Sequence, residues 1–185
     1  MRVLLVGLLM CAVLGISGCG YSSLQQQDEA VKTSWSEVVD QYQRRADLIS
    51  SLADSVKSFA ASEQALIGMT EEGARSGTEP VTPAVLNDPA AFASYQAMQE
   101  QLDRSVHNLI GLAASYPQLQ EDANFLDLRA QLTETQRRIA AARNRYIEAV
   151  RTFNTTLRTF PTDLTARMFD FRPMPDLPVG AADGK

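Results

Sequence analysis

The sequence specifies an all-α protein, an elongated antiparallel bundle of three long helices with a short C-terminal helix. Three observations point there. Residues 21–67, 90–110 and 118–160 contain neither Gly nor Pro. They are filled with Ala, Leu, Gln, Glu and Arg, which lose little side-chain freedom in a helix. Apolar residues recur in alternating steps of four and three, and no period-two alternation competes with that rhythm.

The first helix is expected from about Leu24 to Glu72. Its seam runs Val31, Trp35, Val38, Tyr42, Arg45, Ile49, Leu52, Val56, Phe59, Glu63 and Leu66, with nine of eleven positions apolar. A polar loop from Gly73 to Pro89 follows. Asp88-Pro89 then opens the second helix as an N-cap followed by proline at the first helical position. Its stripe is Phe92, Tyr95, Leu102, Val106, Leu109, Ala113 and Tyr116, closed by Pro117 because the residue before a proline resists helical geometry. A short turn makes the third helix its antiparallel neighbour. That helix carries Phe125, Leu128, Leu132, Thr135, Ile139, Ala142, Tyr146, Ala149, Phe153, Thr156 and Phe160, widened by Val150 and Leu157. After Pro161, residues 162–168 make the short helix, with Leu164, Met168, Phe169 and Phe171 to cover one end of the core. The proline-rich end from Arg172 reads as a disordered tail.

At 1.5 Å per residue the first helix reaches about 70 Å and the second about 40 Å. Part of the first must overhang, so Val31, Trp35 and Val38 are expected to form an exposed apolar stripe. That stripe either meets a partner protein or a second copy, or is covered by the overlapping start of the third helix.

The N-terminus reads as a targeting segment. After Arg2, the apolar run from Val3 to Ile16 is 14 residues, short of the roughly 20 that span hydrocarbon. It ends in Ile16-Ser17-Gly18-Cys19, which resembles a bacterial lipoprotein box. Cleavage before a lipidated Cys19 divides the chain into a signal peptide (1–18), a helical domain (19–171) and the tail (172–185), the alternative being an uncleaved signal anchor. Acyl chains on Cys19 then anchor the protein without a spanning helix. Gly20 after the cysteine favours the outer membrane in a Gram-negative envelope, with the domain facing the periplasm. Cys11 leaves with the signal, so the mature domain forms no disulfide.

Composition removes other classes. With 17 Lys+Arg against 22 Asp+Glu, the chain lacks the basic surplus that grips nucleic acid. One His and two Cys are too few for a zinc site or a Cys–His catalytic pair, and His107, off the second seam, is expected to be solvated. No G-x-S-x-G elbow exists, and neither enzymatic activity nor a cofactor is expected.

Arg44-Arg45-Ala46-Asp47-Leu48-Ile49, with Trp35 upstream and Val56-Lys57 and Glu63 downstream, resembles the LemA family. Tyr116-Pro117, Leu119, Asn124-Phe125, Leu128, Glu134-Thr135, Ile139, Ala142-Arg143, Tyr146, Phe153-Asn154 and Phe160-Pro161 continue the likeness over roughly residues 22–171. The family commonly has Ile-Pro-Asn-Leu where this chain has Ile49-Ser50-Ser51-Leu52, and Asn where it has Ile147. The resemblance implies an extended helical bundle at the outer face of the bacterial inner membrane or in the envelope, with a poorly defined biochemical role.

Polar residues on the seams carry the remaining expectation. Arg45, Asp47, Glu63, Glu134, Arg138 and Arg143 are read as an ion network that fixes helix register, the alternative being a polar pocket inside the bundle. Tyr42, Tyr95, Tyr116, Tyr146 and Trp35 are read as core residues before ligand-groove residues. The function expected is non-enzymatic interaction through helix faces; the alternative is a lipid or small hydrophobic ligand in an interhelical groove.

Overall fold

The computed structural model describes residues 2–60, 64–77 and 81–178, with side chains from Gly20 onward. Helix α1 spans Arg2–Lys57, α2 Gln64–Gly77, α3 Pro89–Ala113, α4 Pro117–Glu121, α5 Ala123–Thr156 and α6 Thr162–Met168, and a 3-10 turn occupies Pro83–Asn87. No strand occurs among the described residues. The all-helical bundle expected from the sequence is the fold found.

Helix α5 runs antiparallel to α1, with Arg145 bonded to Glu37 and Arg143 to Tyr42. Helix α3 follows the direction of α1, since Trp35 meets Phe92 and Tyr95 while Arg45 meets Gln99 and Asp103. The Asp88-Pro89 start expected from the sequence is the start found, and α5 has a cap of the same kind. Asp88 Oδ1 accepts from the Ala90 and Ala91 amides at 3.0 and 3.1 Å, and Asp122 caps α5 by accepting from the Phe125 amide at 2.7 Å.

The first helix ends sooner than expected. It stops at Lys57, and residues 64–77 fold back along its last turns, with Glu71 paired to Lys57 and Gly77 beside Ala46. No glycine or proline marks the break. Ser58 Oγ bonds the Ser55 carbonyl, and the turn lets Ile67 and Ala74 reach the core, where a straight continuation would carry them past it. Phe59 is accordingly exposed. Gly73 and Gly77, expected in a loop, lie in α2, where an added Cβ at either would come within 3.3 Å of Leu102. Their lack of a side chain lets α2 approach α3 closely.

This fold-back removes the overhang. From Gly20 to Lys57, α1 is about 57 Å long and α5 about 51 Å, so the two match. Val31, Trp35 and Val38 are fully buried, which overturns the exposed partner stripe. They are covered by the start of α3 and by the C-terminal half of α5, with Tyr146, Val150 and Phe153, rather than by the start of the third helix.

Apolar side chains form two cores. One lies toward Gly20 (the proximal end) and contains Leu24, Trp35, Phe92, Tyr146 and Phe153. The other, distal, contains Ile49, Leu52, Ile67, Leu102, Leu109 and Phe125. Trp35 sits 5.2 to 5.8 Å, centroid to centroid, from Phe92, Tyr95 and Tyr146.

The proline-rich end also differs from expectation. Residues 172–178 are an ordered strap against α5, while residues 179–185 lie outside the described residues. Asp170, at φ 54°, takes the left-handed position that ends α6, and the Phe171 amide reaches back to the Ala166 carbonyl, closing the helix as a Schellman-type cap. Met174 and Leu177 are then buried in the proximal core. Asn154 both donates to the Met174 carbonyl and accepts from its amide at 2.9 Å. Tyr146 donates to the Pro175 carbonyl and Arg143 to the Pro178 carbonyl. Composition alone suggested disorder, but two apolar side chains three residues apart give the segment a surface to bury.

Trp35→Ala should lower unfolding free energy by about 3–5 kcal/mol and Leu177→Ala by about 2–4 kcal/mol in urea titrations. A Leu177→Ala variant as stable as the parent would mean that the strap carries no packing energy.

Candidate functional site

Between the two cores lies a polar waist centred on Arg45. Its guanidinium emerges at a seam position of α1 and its side chain is only 4% exposed. It pairs with Asp103 through Nη1, donates to Gln99 Oε1 at 2.6 Å through Nη2, and stacks 5.0 Å from the centre of the Tyr42 ring. Tyr42 Oη in turn accepts from Arg143 Nη1 at 3.0 Å, and Arg143 holds the strap by the Pro178 carbonyl. One continuous chain of contacts therefore links α3, α1, α5 and the strap.

The waist surrounds a cavity of about 30 Å³ lined by Tyr42, Arg45, Gln96, Gln99, Glu100, Asp103, Gln136, Ile139, Arg143 and Pro178. Two buried donors, Arg45 Nε and Gln99 Nε2, have no protein partner there. The volume and the donors suit one or two waters. The lining offers two guanidiniums and two carboxylates, so the net charge is balanced. The Tyr42 phenol is the one hydroxyl in this lining, and the contacts around it join four segments.

The expected ion network is drawn together only in part. Arg45 and Arg143 both belong to the waist, joined through Tyr42. Asp47 is exposed. Glu134 and Arg138 are exposed and pair within α5 at 3.1 Å, with Arg137 a second partner for Glu134 at 3.7 Å. Such pairs contribute little to register. Glu63 lies outside the described residues. Cys19 continues the α1 backbone.

Gln99 and Asp103 were not anticipated. A signal existed in the stripe of the second helix, which jumps from Tyr95 to Leu102 across Gln99, a polar residue at a buried position. Nothing in the sequence paired it with Arg45, 54 residues away. Tyr42, Tyr95, Tyr146 and Trp35 are core residues, as their helical spacing suggested, and Tyr116 is half-buried. Burial raises the phenol pKa of both Tyr95 and Tyr146, with Tyr42 adding to the effect on Tyr95 and Asp176 to that on Tyr146. His107 is exposed. Among the described residues no group of three or more His, Cys, Asp or Glu is placed to hold a metal ion, and no helix is long and apolar enough to cross a membrane.

The sequence profile of the LemA family matches residues 34–184, and no curated protein matches the chain. The chain belongs to the LemA family. The match begins one residue before Trp35 and takes in the waist arginines, the α5 side chains that hold the strap, and the strap itself.

Two outcomes test the waist. Asp103→Ala leaves the buried Arg45 charge without its counter-ion and should cost about 2–3 kcal/mol, discounted because Asp103 is itself half-exposed. Arg45→Met, which frees Asp103 to solvent, should cost less in the same denaturation series; the reverse order would show that Arg45 acts through packing alone. Raised folded-state phenol pKa values mean that the unfolded chain ionises first, so this contribution to stability is present below about pH 10 and lost as pH rises beyond it. Denaturation midpoints measured from pH 8 to 11 should fall, and fall less steeply in Tyr95→Phe.

Proposed function

We propose that this LemA-family chain is a non-enzymatic envelope protein, lipidated at Cys19, that works by presenting helix faces and its distal end to a protein partner. The supporting observation is how the interior is used. Trp35, Phe92, Tyr146, Phe125 and Phe153 fill the two cores, and the waist cavity of about 30 Å³ is far below the roughly 300–1,000 Å³ of a typical small-molecule site. The depressions of 270, 350 and 390 Å³ are open grooves on the surface of the bundle. Charged side chains stand among the lining of two of them, Arg44, Glu134 and Arg138 in one and Arg45, Asp103 and Arg129 in the other. A lipid or hydrophobic ligand held between helices is the weaker reading on this ground.

Exposed apolar residues supply the interaction surface. At the distal end these are Phe59, Met69 and Leu126, of which Met69 is 62% exposed. The buried Trp35 stripe no longer serves. A second copy of the chain or another envelope protein fits this reading, and nucleic acid does not, given the acidic balance. Anchoring rests on the Ile16-Ser17-Gly18-Cys19 box and on several acyl chains giving firm attachment where one is marginal. With Gly20 following the cysteine, the site in a Gram-negative cell is the periplasmic face of the outer membrane.

Photoreactive residues at Met69 and Leu126 in intact cells should yield a discrete crosslinked species whose second chain is identified by mass spectrometry. Crosslinks obtained only from α5 grooves, or a lipid co-purifying in stoichiometric amount, would transfer the function to a groove. Labelling with a palmitate analogue should be lost in Cys19→Ala; retained labelling would remove the anchor.

A further inference from the structure

Most large apolar side chains left in solvent gather at one place. Of the eight among the described residues, Tyr21, Phe160, Leu164, Met168 and Phe169 lie at the proximal end. Leu164 and Met168, four apart in α6, share one face, and Phe160 lies in the turn that leads into that helix. Phe160 and Met168 are each 78% exposed, while Ala166, on the other side of α6, is buried. No described residue covers this face.

Its position says what does. Thr165 of α6 stands against Gly20, where an added Cβ would lie 3.1 Å from its hydroxyl oxygen. The Tyr21 and Phe169 rings are 4.6 Å apart. The patch therefore adjoins the residue that follows Cys19 and the apolar run Val3–Ile16, and an anchor at either brings it to the bilayer surface. Around the patch, Arg158 and Arg167 stand against Asp163, and Arg172 pairs with Asp170 at 3.0 Å.

We propose that Tyr21, Phe160, Leu164, Met168 and Phe169 form a membrane-contact face that enters the headgroup–acyl boundary and sets the bundle end-on to the bilayer. The proposal rests on the anchoring reading above. Anchoring supplies attachment; the face supplies orientation, holding Met69 and Leu126 at the end farthest from the lipid.

The test uses the full-length chain in vesicles of phosphatidylethanolamine and phosphatidylglycerol, with and without brominated acyl chains. Trp35 is fully buried and provides a constant background. Met168→Trp should add emission that brominated lipid quenches, and Met69→Trp should add emission that it leaves unchanged. If Met168→Trp is unquenched while the protein still floats with the vesicles, the contact face is overturned and the anchor stands. Quenching at both positions would overturn the end-on placement. Protein that fails to float overturns the anchor and the face together. Leu164→Glu with Met168→Glu, both at exposed positions, should leave flotation intact and relieve the quenching of a Phe169→Trp reporter; unchanged quenching would also reject the face.

Discussion

A guanidinium cannot shed its charge, and Arg45 places one inside the bundle. Much of the architecture follows from that constraint. An arginine at this depth requires a carboxylate, a second acceptor and an aromatic face, and Asp103, Gln99 and Tyr42 supply them. Because those groups come from α1 and α3, their demands fix the axial position of one helix on the other. Arg143 extends the same logic to α5 and the strap through Tyr42 and Pro178. Apolar packing alone would tolerate a slide of one turn along either seam. The waist does not, because such a slide would strand the Arg45 charge.

The waist also explains why there are two cores. Apolar contacts are continuous within each half, the proximal one rich in aromatic rings and the distal one in Leu and Ile. Each half is closed by a different segment. Helix α2 covers the distal half, and the 3-10 turn with the strap covers the proximal half. The strap is held by its backbone carbonyls, which side chains of α5 read in sequence. Three prolines remove amide donors that would otherwise need partners.

Much of this was legible in the residues, and the divide is physical. Periodicity reports local geometry, so the seams from Val31 to Val56 and from Phe125 to Phe153 identify buried faces correctly, as does the Asp88-Pro89 start of α3. Periodicity does not report where a helix must stop when no glycine or proline stops it. The break after Lys57 is decided by what Ile67 and Ala74 gain from folding back, which is tertiary information. The same limit applies to Arg45. Its place on an apolar seam announced a buried charge paired across helices but not which residues would pair with it, whereas the Glu134–Arg138 pair, four apart on one helix, follows from spacing alone. The strap was hidden by composition, since proline and small polar residues are shared by disordered ends and by extended segments with a groove to lie in.

The bundle's first and last long helices are neighbours in space while lying at opposite ends of the chain. Tyr42 and Arg143 are separated by 101 residues, Glu37 and Arg145 by 108. Contacts this remote in sequence make closure late. Until Tyr146 and Phe153 have emerged from the ribosome, Trp35 has only its α3 neighbours Phe92 and Tyr95, and the proximal half stays open. The compact form is therefore the product of the whole chain, and a truncated one lacks the wall that closes its first helix.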